Sequence, residues 1–319
     1  MRVWLILTLS LSKGEAMDWD AVLIAGPTAS GKSALALELA QAMQGAVINA
    51  DSMQGYRELR VLTARPSAED ETRVPHLLYG HVPVVERYSA GRYRDDAMRA
   101  LAEAHEAGRL PIFVGGTGLY FKVLTEGLSP ISPVPIEVRE RVRARFAKLG
   151  AEAFYADFAA HDPDTAAQLR ASDIQRVLRA ADVFEASGWP LLKWQQKPGT
   201  PVLGPRVVRF VVSPPRDALY ARIDDRVRAM AESGGIDEAR ALQGLDASLP
   251  AVKALGVPQF LRALSGEMPL ESAISEMQTE TKRYAKRQLT WLRRFMKDWI
   301  WLETVDLRNI MSFMRDKIA

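Results

Sequence analysis

The sequence predicts an α/β fold, in which a parallel sheet flanked by helices is interrupted by a helical insertion and followed by basic C-terminal helices. Three observations carry that prediction. Short apolar runs at 22–24 (VLI), 46–48 (AVI), 110–114 (LPIFV) and Val207–Val212 (VVRFVV) alternate with stretches of helical periodicity, the pattern of βαβ units. The first run leads into Gly26-x-x-x-x-Gly31-Lys32-Ser33, and an apolar helical stretch follows at 34–43. Between about 133 and 198 the apolar spacing becomes wholly helical before a strand returns.

The strand, glycine-rich turn and helix together make a P-loop. Successive backbone N–H groups of such a turn, with the partial positive charge of the helix N-terminus, cradle a di- or triphosphate. Gly26, Pro27, Thr28, Ala29, Ser30, Gly31, Lys32 and Ser33 are the candidate phosphate-binding residues. Lys32 would reach the terminal phosphates, and the Ser33 hydroxyl would hold Mg²⁺. The loop does not identify the molecule it holds. It does predict a P-loop NTPase-like core over 17–132 and 199–319, with the insertion at 133–198.

Composition sets limits on the rest. A chain of 319 residues, 48% of them hydrophobic, can bury a full core. It has no cysteine, which excludes disulfide scaffolds and thiolate metal sites, and a reducing cytoplasm fits. The net charge is only +3, so a polyanion site must come from clustered cations. An apolar run at 3–11 is too short to span a bilayer. With Met17 standing just before the first strand, we expect residues 1–16 to be an over-extended start, and no membrane partner.

Along the chain, the strand at 45–50 is followed by Asp51-Ser52-Met53-Gln54, which places Asp51 outside the carboxyl end of a strand, where open α/β sheets bind ligands. Two readings of Asp51 stay open: an Asx turn or cap, and a catalytic carboxylate. The stretch from Thr63 to Pro83 reads as loop, with His76 and His81 as ordinary loop residues. Ser89 should cap a helix. Gly115-Gly116-Thr117-Gly118 follows the 110–114 strand and delivers Thr117 to the same edge as Asp51.

In the insertion, Val138, Val142, Phe146 and Leu149 share one helical face, with Gly150 as a stop. Asp162-Pro163 and Ser172-Asp173 open further helices, and Asp217 should cap a helix after the last strong strand. Near the C-terminus Lys282, Arg283, Lys286, Arg287, Arg293, Arg294 and Lys297 fill one helical arc, while Leu289, Leu292, Phe295, Met296 and Trp299 fill the other. A solvated basic face and a nucleic-acid surface explain this arc equally well, and Trp291 at its border offers a ring for base stacking.

A GTPase is excluded because the only asparagines are Asn49 and Asn309, leaving no base-reading Asn-Lys-x-Asp. A motor-type second motif is missing where Val114 meets two glycines. A small-molecule or nucleotide kinase remains the generic alternative.

The stretches GPTASGKS, DSMQGYRELRVLTARP, FVGGTGLYFKVLTEGLSP, SDIQRVLRAADVFEASG and AKRQLTWLR, in this order between Ala21 and Trp301, resemble the tRNA dimethylallyltransferases. The resemblance implies transfer of a dimethylallyl group from dimethylallyl diphosphate to N6 of adenosine 37 in tRNAs reading codons that begin with U. It implies that residues 28–33 and Arg226 bind the donor's diphosphate, with Mg²⁺ beside Ser33. It also implies Asp51 as general base, Thr117 as its partner at the adenine, and a monomer. Implied tRNA contacts are Asp51, Ser52, Met53, Gln54, Thr117, Arg139, Gln175, Arg176, Arg179, Lys286, Arg287, Gln288, Trp291 and Arg293. The chain departs from the family at Ser172, where asparagine is common, at Arg65, where lysine is usual, and at 255–259 (LGVPQ), which replaces a glycine-tyrosine segment.

Overall fold

The alternation of apolar strands and helices builds a parallel sheet in the computed structural model, which describes residues 19–304 and 306–316. The expected over-extended start at 1–16 lies outside them. In chain order the larger unit carries β1 (Ala21–Ala25), α1 (Lys32–Ala42), β2 (Gly45–Asn49), α2 (Ala68–Arg73), β3 (His76–Leu77), α3 (Ala90–Glu106), β4 (Leu110–Gly115) and α4 (Gly118–Glu126). The smaller unit, 126–201, carries α5 (Ile136–His161), α6 (Pro163–Ala166), α7 (Ile174–Ser187) and α8 (Leu191–Gln195). The chain then returns to the larger unit with β5 (Val207–Val212), α9 (Arg216–Glu232), α10 (Gly235–Ala241), a 3₁₀ turn (Ala251–Lys253), α11 (Val257–Leu264), α12 (Leu270–Phe295), β6 (Ile300–Leu302) and α13 (Leu307–Asp316).

Strand order is β3-β2-β4-β1-β5-β6, and every pairing is parallel. Parallel sheets are covered on both faces, so their strands read as unbroken apolar runs. Every residue of β1 is accordingly fully buried. The order puts β4 between β1 and β2, so Asp51 follows a strand that is not next to the P-loop strand.

Several elements differ from expectation. The 63–83 stretch contains α2, held by a capping box in which Ser67 accepts from the Asp70 N–H and Asp70 from the Ser67 N–H, and a two-residue strand, β3. Asp217 is not the cap of α9: the helix starts one residue earlier, after Pro215, and Asp217 sits in its first turn. Ser89 does cap α3, accepting from the Arg92 N–H at 3.2 Å.

The smaller unit has its own apolar core around Val138, Val142, Phe154, Phe158, Val177 and Val183. Gly150, at φ 76° and ψ 173°, breaks α5 into two helical segments instead of ending it, and Leu149 is exposed. Asp162 caps α6 and Asp173 caps α7, which stops at Gly188 in the left-handed region. Among the described residues, no helix is long and apolar enough to cross a membrane.

Candidate active site

The phosphate loop takes its shape from residues that no others can replace cheaply. Gly31 caps α1 at φ 93°, and Ala29 also takes a positive φ, 63°. A Cβ on Gly26 would lie 2.7 Å from the Val212 carbonyl oxygen and 2.8 Å from Ser30 Oγ. The first N–H groups of α1 have no intrahelical partner and face the loop. Lys32 folds back, its ammonium donating to the Pro27 carbonyl at 3.1 Å. Burial pushes that ammonium down to about 8, with Asp51 opposing the shift and Arg226 adding to it. Arg226 from α9 approaches Thr28 Oγ1 at 3.5 Å, and Arg222 the Ser30 carbonyl at 3.4 Å.

The second half of the site hangs from the ends of β2 and β4. Buried Asn49 fixes the turn: its Oδ1 accepts from the Asp51 N–H at 2.7 Å, and its Nδ2 donates to the carbonyls of Asp51 and Leu78. Asp51 Oδ1 accepts from the Met53 N–H at 3.0 Å, so the carboxylate does form an Asx turn. Its other oxygen lies beside Gly116, where an added Cβ would be 3.2 Å away. The two readings of Asp51 therefore coexist, one for each oxygen. Thr117 Oγ1 accepts from the Ser52 N–H at 2.9 Å and lies 3.3 Å from Ser52 Oγ, tying the two strand ends together. Gly115 permits that approach, since a Cβ there would meet Ala50 backbone atoms at 2.1 Å.

Both halves open into one cavity of about 480 Å³. Thr28 to Ser33 form one side, Asp51 to Gln54 another, and Arg226 and Arg287 add charge. Leu62, Val227, Met230, Leu255 and Met277 make an apolar wall. Tyr284 also lines it, and burial followed by the Asp51 charge raises its phenol. The same two causes raise Tyr79 and Tyr120, so the phenols near Asp51 stay neutral donors.

Sequence reasoning missed Lys253, Tyr284 and the apolar wall, because they come together only where α9, α12, the 3₁₀ turn with Leu255 after it, and the loop carrying Leu62 meet. Gln288, an implied tRNA contact, has partners within the protein. That side chain, 6% exposed, accepts from the Thr28 N–H at 2.9 Å and donates to the Gly116 carbonyl at 3.0 Å, so it is engaged inside the protein. Trp291 packs against Gly118, where a Cβ would fall 2.2 Å from the ring.

The basic arc is narrower than the sequence suggests. Lys282 pairs with Asp224 at 2.7 Å and Arg283 with Glu280 at 2.5 Å, while Lys286, Arg287, Arg293 and Arg294 are exposed. Phe295 is 47% exposed and ends α12, so Lys297 and Trp299 lie beyond the helix. In the smaller unit Arg176 pairs with Asp173, Gln175 is exposed, and Arg139 stands near Arg179, which burial and this neighbour shift downward. Arg141, Arg143 and Arg145 are held by Glu185, Asp182 and Asp157.

The oxygen chemistry around Ser33 and Asp51 suits a hard divalent cation better than a soft one. Ser30 Oγ is buried without a partner, a further oxygen inside the loop. Among the described residues no group of three His, Cys, Asp or Glu side chains could hold a metal ion, so a cation here would draw its remaining oxygens from a bound phosphate and water.

Comparison with known families agrees with this arrangement. The family model described as IPP transferase matches residues 54–295, and a second, isopentenyl transferase, matches 19–79. The chain belongs to the IPP transferase family. Members similar to it include a tRNA dimethylallyltransferase of Rhodopseudomonas palustris, 53% identical over 88% of this chain and 89% of that protein. One from Rhodospirillum centenum is 54% identical over 85% and 88%. Among solved structures, the tRNA isopentenylpyrophosphate transferase of Bacillus halodurans superposes with a TM-score of 0.66 at 34% identity, covering 93% of this chain and 96% of that one. A eukaryotic dimethylallyltransferase acting on tRNA gives 0.76 at 28% identity, over 90% and 74%. IPP transferases of this kind share the P-loop NTPase-like core found here.

Proposed function

We propose that this protein is a tRNA dimethylallyltransferase, using dimethylallyl diphosphate to prenylate N6 of adenosine 37 in tRNAs that read codons beginning with U. The observation that carries the reading is the cavity. It joins a phosphate loop, a carboxylate and an apolar wall in one space of about 480 Å³. An allylic diphosphate has those two ends, one anionic and one apolar. Membership of the IPP transferase family supports the same choice.

The chemistry follows from the groups present. Adenine N6 is a weak nucleophile because its lone pair is delocalised, and it must lose a proton as its bond to the allylic carbon forms. Asp51 takes that proton through the oxygen left free of the Asx turn. The carbon–oxygen bond to diphosphate breaks, and the loop N–H groups, Lys32 and Arg226 meet the growing negative charge. Ser33 and the diphosphate oxygens would hold Mg²⁺, which would neutralise further leaving-group charge. Thr117 orients the Asp51 turn through the Ser52 N–H. The adenine must leave its stack to reach Asp51. Lys286, Arg287 and Arg293, with Arg139 and Arg179 of the smaller unit, serve the RNA backbone.

Calorimetric titration tests the ligand half of this reading. Dimethylallyl diphosphate with Mg²⁺ should bind at the loop and be displaced by inorganic diphosphate. Tighter binding of ATP than of the allylic compound would favour the kinase reading.

A further inference from the structure

The Gln288 side chain hydrogen-bonds both halves of the site. Its Oε1 accepts from the N–H of Thr28 in the phosphate loop, and its Nε2 donates to the carbonyl of Gly116, one residue before Thr117. These partners are 260 and 172 residues away in sequence, so no local structure holds them together. The amide lies close against the Gly116 backbone: a Cβ there would stand 2.2 Å from Nε2. At 6% exposure, water does not replace either bond.

We propose that Gln288 is a positioning residue that fixes the spacing between the donor and the base. The inference rests on the reading of the site as a prenyl-transfer centre. Thr28 belongs to the loop that holds the diphosphate, and its hydroxyl faces Arg226. Gly116 lies against the free oxygen of Asp51. The amide therefore ties the loop that would hold the donor to the backbone beside Asp51. A shift of about 1 Å in that spacing costs on the order of 10²-fold in rate, while leaving each substrate its own contacts. An amide meets both demands, because one end accepts and the other donates. A carboxylate would turn an acceptor toward the Gly116 carbonyl and add a negative charge near Asp51.

A role confined to docking α12 makes different predictions. Loosening the helix would weaken RNA binding, since Lys286, Arg287 and Arg293 lie on it, and would leave the rate of bound substrates unchanged. The test compares the unsubstituted protein with Gln288→Met, Gln288→Glu and Gly116→Ala, the last displacing the amide without removing it. Three quantities are read: the single-turnover prenylation rate with both substrates saturating, the Kd for inorganic diphosphate, and the Kd for tRNA. We expect all three variants to lose roughly 10- to 100-fold in rate. Both Kd values should stay within about threefold for Gln288→Met, because each ligand keeps its own contacts. Full rates in a folded Gln288→Met protein, or weakened tRNA binding at unchanged rate, would overturn the proposal. If Gln288→Met fails to fold, Gln288→Asn, which keeps the amide but shortens its reach, decides by the same criteria, because the Gly116→Ala methyl would also stand 3.2 Å from Asp51 Oδ2. An unsubstituted protein that binds diphosphate yet prenylates no tRNA would refute the underlying reading itself.

Discussion

Replacing Asp51 with asparagine isolates proton acceptance from architecture. The amide oxygen can still accept from the Met53 N–H, now 3.0 Å from Oδ1, and Asn49 still anchors the backbone of residue 51. What disappears is the negative charge and the ability to take a proton. Loss of a general base lowers turnover by about 10²- to 10⁴-fold, or about 3–5 kcal/mol of barrier at 1.36 kcal/mol per decade. The charge has a second effect. Asp51 raises the Lys32 ammonium against a larger downward push from burial, so without it Lys32 titrates below about 8. Donor affinity in Asp51→Asn should then fall off at lower pH than in the unsubstituted protein. The two effects separate in single-turnover prenylation across a pH series, with both substrates saturating for the rate and the donor varied for affinity. A rate within about threefold of the unsubstituted protein would refute the assignment of Asp51 as base.

Three further outcomes follow. In the unsubstituted protein Lys32 is charged below about pH 8 and neutral above it, so diphosphate affinity should be flat at lower pH and weaken as pH rises through 8; affinity that is constant through this range would contradict the role of Lys32. Lys286→Ala with Arg293→Ala, neither of which lines the cavity, should weaken tRNA binding and reduce the salt slope of log Kd by roughly 1–2, one per lost phosphate contact, leaving diphosphate affinity nearly unchanged; an unaltered slope would remove this face from the RNA surface. Gly115→Ala should destabilise the fold by about 3 kcal/mol, because its methyl would meet Ala50 backbone at 2.1 Å and backbone cannot rotate away; equal chemical denaturation midpoints would show that the strand ends can separate.

The parts legible in the sequence were those set by local chemistry. Apolar β-branched runs gave β1, β2, β4 and β5, and the glycines of the loop gave the phosphate site, since those conformations admit few other residues. Asp51 and Thr117 were placed by one general rule, that ligands sit beyond the carboxyl ends of parallel strands. What stayed hidden depends on partners distant in the chain. Strands β3 and β6 have two and three residues and exist only because a sheet edge was available beside them. Lys282 and Arg283 looked like part of an anion surface because Asp224 is remote in sequence and Glu280 precedes the run. The resemblance implied Gln288 as a tRNA contact, and only helix packing shows its side chain turned inward to Thr28 and Gly116. Met230 and Met277 carry no ligand signal in the sequence, and only the approach of α9 to α12 brings them together in the cavity wall.

The most direct test is nucleoside mass spectrometry of tRNA that lacks modification at adenosine 37, incubated with the protein and Mg²⁺, with dimethylallyl diphosphate or ATP supplied separately. The account predicts N6-(dimethylallyl)adenosine at position 37, with release of diphosphate, only when the allylic donor is present. Unmodified tRNA with that donor, together with ADP formed from ATP, would contradict it.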